Sequence, residues 1–152
     1  MTTTVAFPKD LQTLVGKPLG TTDWLLVPQS DVDLFARAAH DEQWIHIDPE
    51  RAAAGPFGRT IAHGYLTLSL LVPLWSQLLV IENVSMAINY GLNRVRFPAP
   101  VPAGSSVRLE ATIAACEEVA GNGVQVTADA TMFCDASPKP VCVAQPVYRY
   151  YA

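Results

Sequence analysis

Residues His40 to Leu79 read HDEQWIHIDPERAAAGPFGRTIAHGYLTLSLLVPLWSQLL, and the architecture of the chain turns on them. The stretch opens with a carboxylate and an imidazole, Asp41 and His46, five positions apart. It closes with Ala62-His63-Gly64, which leads into the longest apolar run of the sequence. A polar loop carrying reactive side chains thus runs into the start of a buried central helix, expected from about His63 to Leu79. Pro73 is expected to kink that helix or end its first half, because proline has no N–H and crowds the carbonyl four residues back.

Working outward toward the N-terminus, Asp48-Pro49-Glu50 marks a short helix with a capping Asp, which Gly55-Pro56 breaks. Ser30, with Asp33 three residues on, is expected to cap an earlier helix. Val32, Phe35, Ala36 and Ala39 give that helix an apolar face, and it delivers the chain to Asp41. Thr21–Val27 reads as a strand stopped by Pro28, and Lys9–Leu14 as a short helical turn. Toward the C-terminus the pattern changes to period two. Strands are expected over Ser85–Phe97, with an irregularity at Gly91, then Val107–Glu118, Val124–Cys134 and Val141–Tyr151. Gly121-Asn122-Gly123 is a hairpin signal. The expected fold is α+β: an antiparallel sheet with the long helix on its concave face, as one domain over 1–152.

Composition narrows the function. The chain has 152 residues, half of them hydrophobic and 16% charged, with a net charge of −4. Without a basic cluster, nucleic acid is not an expected partner. So little charge on a lone monomer points to a subunit contact. Ile61–Ile81 is long enough to span a bilayer, but its interspersed polar residues and the lack of flanking cations favour a helix buried in protein. Cys116, Cys134 and Cys142 lack metal-binding spacing, and no export signal is read at the N-terminus, so reduced thiols in the cytoplasm are expected.

Asp41 and His46 are the candidate reactive groups. An imidazole titrates near neutrality, and a nearby carboxylate can orient it or act as a second base. Five residues do not place the two on one helical face, so a loop or helix end must bring them together. On spacing alone, capping and packing are the commoner roles of such a pair. Gln43 lies between them and can fix one through its amide. Gly64, at the expected helix start, offers an unpaired N–H to negative charge and lets a carbonyl approach the backbone; tight packing is its alternative role. His63 is read as capping or packing there. His40, His46, His63 and Asp41 do not have the spacing of a zinc motif, and no metal or cofactor is expected.

Asp41-Glu42-Gln43-Trp44-Ile45-His46-Ile47-Asp48-Pro49 resembles the hydratase motif of the MaoC-like dehydratases, and Ile61-Ala62-His63-Gly64 resembles their second motif. With GPFGRTIAHGYLTLSLL and INYGLNRVRFPAPVPAGS, nearly the whole chain is similar to the NodN-like branch and to (R)-specific enoyl-CoA hydratases. The resemblance implies a hot-dog fold, a sheet wrapped around one long helix, paired as a homodimer with sheets joined edge to edge. It implies reversible hydration of a trans-2-enoyl thioester, on CoA or acyl carrier protein, to the (R)-3-hydroxyacyl product. Asp41 and His46 would hold the water and the Gly64 N–H would bind the thioester carbonyl. Two departures stand out. The commoner motif has Asn-Pro where this chain has Gln43-Trp44, which assigns Trp44 to the acyl pocket. A serine that some relatives carry eight residues beyond the glycine is Val72 here. Asn89 and Arg94, with Asn93 and Arg96, are candidate contacts for the CoA phosphates or pantetheine arm.

Two other readings compete. A hot-dog acyl-CoA thioesterase needs a carboxylate on the central helix, and Tyr65–Leu79 contains none. A non-catalytic acyl-thioester-binding protein has no need of the intact Asp41/His46 pair.

Overall fold

The structure, a computed structural model, describes residues 1–152. In chain order it holds β1 (Thr3–Val5), a 3₁₀ helix (Pro8–Leu14), β2 (Pro18–Thr21) and β3 (Leu25–Leu26). Then come α1 (Gln29–Ala39), α2 (Trp44–Ile47), α3 (Pro49–Ala53), α4 (Gly64–Ser69) and α5 (Leu71–Leu78). The chain ends with β4 (Leu79–Ile81), β5 (Met86–Arg96), β6 (Ser106–Val119), β7 (Gly123–Cys134) and β8 (Cys142–Tyr151). The main sheet is antiparallel in the order β2-β6-β7-β8-β5, with β3 also paired to β6.

The expected alternation in β6 is present: Val107, Leu109, Ala111 and Ile113 are all buried. They join Val126, Ala128 and Met132 of β7 and Leu71, Leu74, Trp75 and Leu78 of α5 in one core. The sheet thus closes around the α4–α5 segment, the hot-dog arrangement. Leu74 and Leu78 are 0% and 1% exposed, and each such burial stabilises the fold by roughly 1.5–3 kcal/mol. Gly121 (φ +88°) and Asn122 (φ +59°) make the β6–β7 turn, where both residues need positive φ. The β5–β8 register shifts on either side of Gly91–Leu92.

The apolar helix is in two pieces, as expected from Pro73, with the break at Leu70. Pro73 has no N–H for the Ser69 carbonyl, so the break falls where the ladder fails. Other expectations are corrected. Thr21–Val27 is not one strand. The Thr22 hydroxyl accepts from the Leu109 N–H, and the Asp23 N–H turns away to Gln77 Oε1 at 3.0 Å, which separates β2 from β3. Ser30 does not cap α1; the helix begins two residues earlier, Pro28 is its N-cap, and no side chain caps it. Asp33 accepts instead from Gln29 Nε2 at 2.9 Å. Ala39 is exposed, so the buried face of α1 is Val32 and Ala36. The parallel pair β1–β4 was not foreseen. No helix is long and apolar enough to cross a membrane.

Candidate active site

Asp41 is set by the end of α1. His40 takes the left-handed conformation (φ +57°, ψ +36°) as C-cap, and the Asp41 N–H bonds back to the Ala36 carbonyl at 3.0 Å. This turn sends the chain into α2, the short helix that carries His46. The α2 N-cap is Gln43, whose carbonyl accepts the His46 N–H. α3 follows at once, capped as expected by the Asp48 side chain on the Arg51 N–H at 3.1 Å.

The second wall is the segment from Thr60 to Gly64. The Ala62 N–H bonds the Val101 carbonyl, and the Ala103 N–H bonds the Thr60 carbonyl, so the proline connector holds this segment like an added strand. The Ile61 N–H reaches the Ile45 carbonyl at 3.0 Å. The Ile61 carbonyl in turn accepts from His46 Nδ1 at 2.7 Å. With its proton on Nδ1, the neutral imidazole keeps the Nε2 lone pair free.

The turn and the segment bring the two candidate groups together. A carboxylate oxygen of Asp41 and one ring nitrogen each of His46 and His63 all lie within 4.8 Å of one another. Asp41 is exposed, whereas His46 and His63 are 6% and 3% exposed. Burial pushes the His46 pKa below its ordinary 6.5; the imidazole of His63 pushes the same way, and the Ile61 hydrogen bond and Asp41 oppose it. The two buried rings stack at 3.8 Å with 23° between their planes. Such rings direct their in-plane lone pairs side by side, a poor fit to the convergent donors of a metal site.

A cavity of about 360 Å³ opens beside His46, lined also by Phe57, Ile61, Gly64, Thr67 and Phe97. Gly64 is the first residue of α4, as expected. A side chain there would meet the Phe97 ring at 3.1 Å, so Phe97 packs directly on this helix end.

The remaining sequence candidates are not gathered here. Gln43 is exposed. Trp44 lies flat against Gly55, where a Cβ would stand 2.9 Å from its ring, with the Arg51 guanidinium 4.4 Å from its centroid. It is therefore held under α3, away from the cavity walls. Asn89 lines an apolar groove with Val72 and Tyr148 between α5 and β5. Arg94 pairs with Asp129 at 3.7 Å. Its neighbour Val95 packs on the core, so the strand period turns Arg94 to the outer face.

Three residues escaped the sequence reading, and His63, read as capping or packing, was not given its partner. Gln29 donates to the His46 carbonyl at 2.7 Å and accepts from the Thr60 hydroxyl. His63 makes no cap; its Nε2 donates to the Asp41 backbone carbonyl at 2.8 Å. Thr60 and Phe97 complete the set. All act across more than 15 positions of sequence, and only the residue types of the IAHG stretch gave any local sign of them.

Comparison with known proteins places the chain in a family. The chain is 51% identical over 143 residues to 3-hydroxyacyl-thioester dehydratase Z of Mycobacterium tuberculosis, covering 94% of this chain and 95% of the relative. It is 42% identical over 137 residues to nodulation protein N of Rhizobium leguminosarum bv. viciae, covering 89% and 85%. The unliganded R-hydratase PhaJ1 of Pseudomonas aeruginosa superposes with a TM-score of 0.69 at 25% identity, over 90% of this chain and 81% of that one. The model of the MaoC-like domain matches residues 10–132, and the chain belongs to that family.

Proposed function

We propose that this chain is a hydro-lyase of fatty acid metabolism that adds water reversibly to a trans-2-enoyl thioester, giving the (R)-3-hydroxyacyl thioester. The carrier is CoA or an acyl carrier protein. The observation that carries this reading is the placement of the Asp41 carboxylate and His46 within 4.8 Å of each other at the edge of an apolar cavity. One water bridging two groups spans about this distance, since each of its hydrogen bonds is about 2.8 Å long.

In the proposed reaction the water lies between Asp41 and the free Nε2 of His46. A proton leaves the water for the pair, and the oxygen bonds to C3. Electron density moves to the thioester oxygen, where the Gly64 N–H meets it as an oxyanion donor. C2 then takes a proton from the same pair on the same face, and the pair returns to its starting charge. The neutral imidazole that burial favours suits the first step. Gln43 and Asn89 are proposed polar contacts for the thioester arm.

We also infer a homodimer formed along β5. This strand bonds only β8, and nearly all of its residues are exposed, including Ile88, Tyr90 and Leu92. A long apolar edge of this kind is normally covered. The three unbridged cysteines support a cytoplasmic location.

The test is incubation with crotonyl-CoA, following the enoyl absorbance and the chirality of the product. Loss of absorbance with (R)-3-hydroxybutyryl-CoA supports the proposal. Release of free CoA would indicate a thioesterase, and binding without turnover an acyl-binding protein.

A further inference from the structure

Asp41 presents an exposed carboxylate, and its side chain makes no hydrogen bond within the chain that would fix it. Its position is set through its backbone. The N–H is held by the Ala36 carbonyl at 3.0 Å, at the end of α1. The carbonyl is held at 2.8 Å by His63 Nε2, 22 positions away at the start of α4. The same His63 ring lies face to face with His46 at 3.8 Å. Phe35 of α1 packs against the same His63 ring at a tilt of 53°, with ring centroids 4.9 Å apart. The second ring nitrogen of His63, Nδ1, is buried and has no partner. Leaving such a buried atom unpaired costs stability. A purely packing residue at this position would need no imidazole.

We propose that His63 is a positioning residue: through its Nε2–H on the Asp41 carbonyl and its face on His46, it holds the two reacting groups in one register. It touches neither water nor thioester. The inference rests on the hydratase reading for its kinetic consequence, and on the hydrogen bond alone for its structural one. The charged and titratable groups that face the two rings are Asp41, His46 and His63 themselves, with the Ile61 carbonyl on His46.

Three variants separate the contributions. His63→Phe keeps the stacked face and loses the donor. His63→Gln keeps an N–H donor and loses the ring. His63→Ala loses both. A misplacement of about 1 Å in a reacting group can cost about 100-fold in rate. His63→Phe is therefore expected to lose about that much in kcat, with KM within about twofold, and His63→Gln to recover a large part of the loss. In His63→Gln the acid limb of kcat/KM should move to higher pH, because the imidazole that lowers the His46 pKa is gone. A limb that stays in place would show that His63 does not share the surroundings of His46, and the kcat of His63→Phe separates positioning from packing. Wild-type kcat in His63→Phe, measured against an active wild type, overturns the inference and leaves the hydratase reading intact. An inactive wild type overturns the reading instead. In that case nitrogen-detected NMR of the imidazoles still decides the structural claim. A slowly exchanging Nε2–H on His63, with an Asp41 carbonyl shift that changes in His63→Phe, supports the tie; a freely exchanging ring refutes it.

Discussion

Around His46, segments distant in sequence converge on one imidazole: Ile61 holds its Nδ1, Gln29 its carbonyl and His63 its face. Along β5, eleven residues run with one edge unbonded and apolar side chains in solvent. These contacts of His46 all lie within a single chain, and the exposed apolar edge invites a surface to cover it. Reactive polar groups must be oriented to within a fraction of an ångström, which takes many directional bonds. An apolar edge needs only complementary area, which a second copy can supply. The chain thus separates the chemistry from the proposed assembly.

The contrast can be broken at either region. The largest effects belong to the corner. Asp41→Asn and His46→Gln should each lower kcat with crotonyl-CoA by about 10³-fold, within the range ascribed to positioned acids and bases. Circular dichroism should show an unchanged fold, since Asp41 is exposed and the His46 backbone bonds persist. Next comes the edge. Ile88→Lys places like charges opposite each other across a two-fold contact and should weaken self-association by about 100-fold, about 2.7 kcal/mol. Sedimentation velocity would record it, and an unaltered sedimentation coefficient would place the contact elsewhere.

Gly64→Ala acts between the two regions. Its Cβ would press on the Phe97 ring at 3.1 Å, and that ring is 38% exposed and can yield. We expect a stability cost of about 1 kcal/mol, a shift of about 2–4 °C in Tm. Because Phe97 lines the cavity, kcat should fall as well. A variant with full activity would show that the position of the Phe97 ring does not matter to turnover.

The smallest expected effect is on pH dependence. Burial lowers the His46 pKa below 6.5. As pH falls, the unfolded chain takes the proton first, so the contribution of His46 to stability declines from about pH 6.5 down to the lowered folded value. The His46→Gln variant should lack this component in urea melts at successive pH values.

What the sequence disclosed follows from the range over which each interaction acts. The Asp48-Pro49 cap and the Gly121-Asn122 turn depend on neighbouring residues and were read correctly. The β6 alternation was equally plain, because period two reports one buried face. The Ser30 cap failed because Gln29 draws Asp33 away, in a network that also includes Thr60 and His46. The β1–β4 pair joins segments more than seventy positions apart and leaves no local mark. At the candidate site, Asp41, His46 and Gly64 could be named because their residue types suit the proposed chemistry. Gln29, His63 and Phe97 could not be assigned their places, since their contacts depend on how the proline connector, α1 and α4 dock. Trp44 was misplaced for a similar reason: Gly55 and Arg51 offer it a fit that no periodicity reveals.

The central claim is that Asp41 and His46 act as one unit on one water. The most direct test compares kcat of the double variant Asp41→Asn/His46→Gln with that of each single variant in enoyl-CoA hydration. Groups that work as a unit are strongly non-additive. The double variant should therefore turn over about as slowly as the slower single variant. Losses that multiply, giving a double variant slower than either by the product of the two factors, would show two independent contributions and contradict the account.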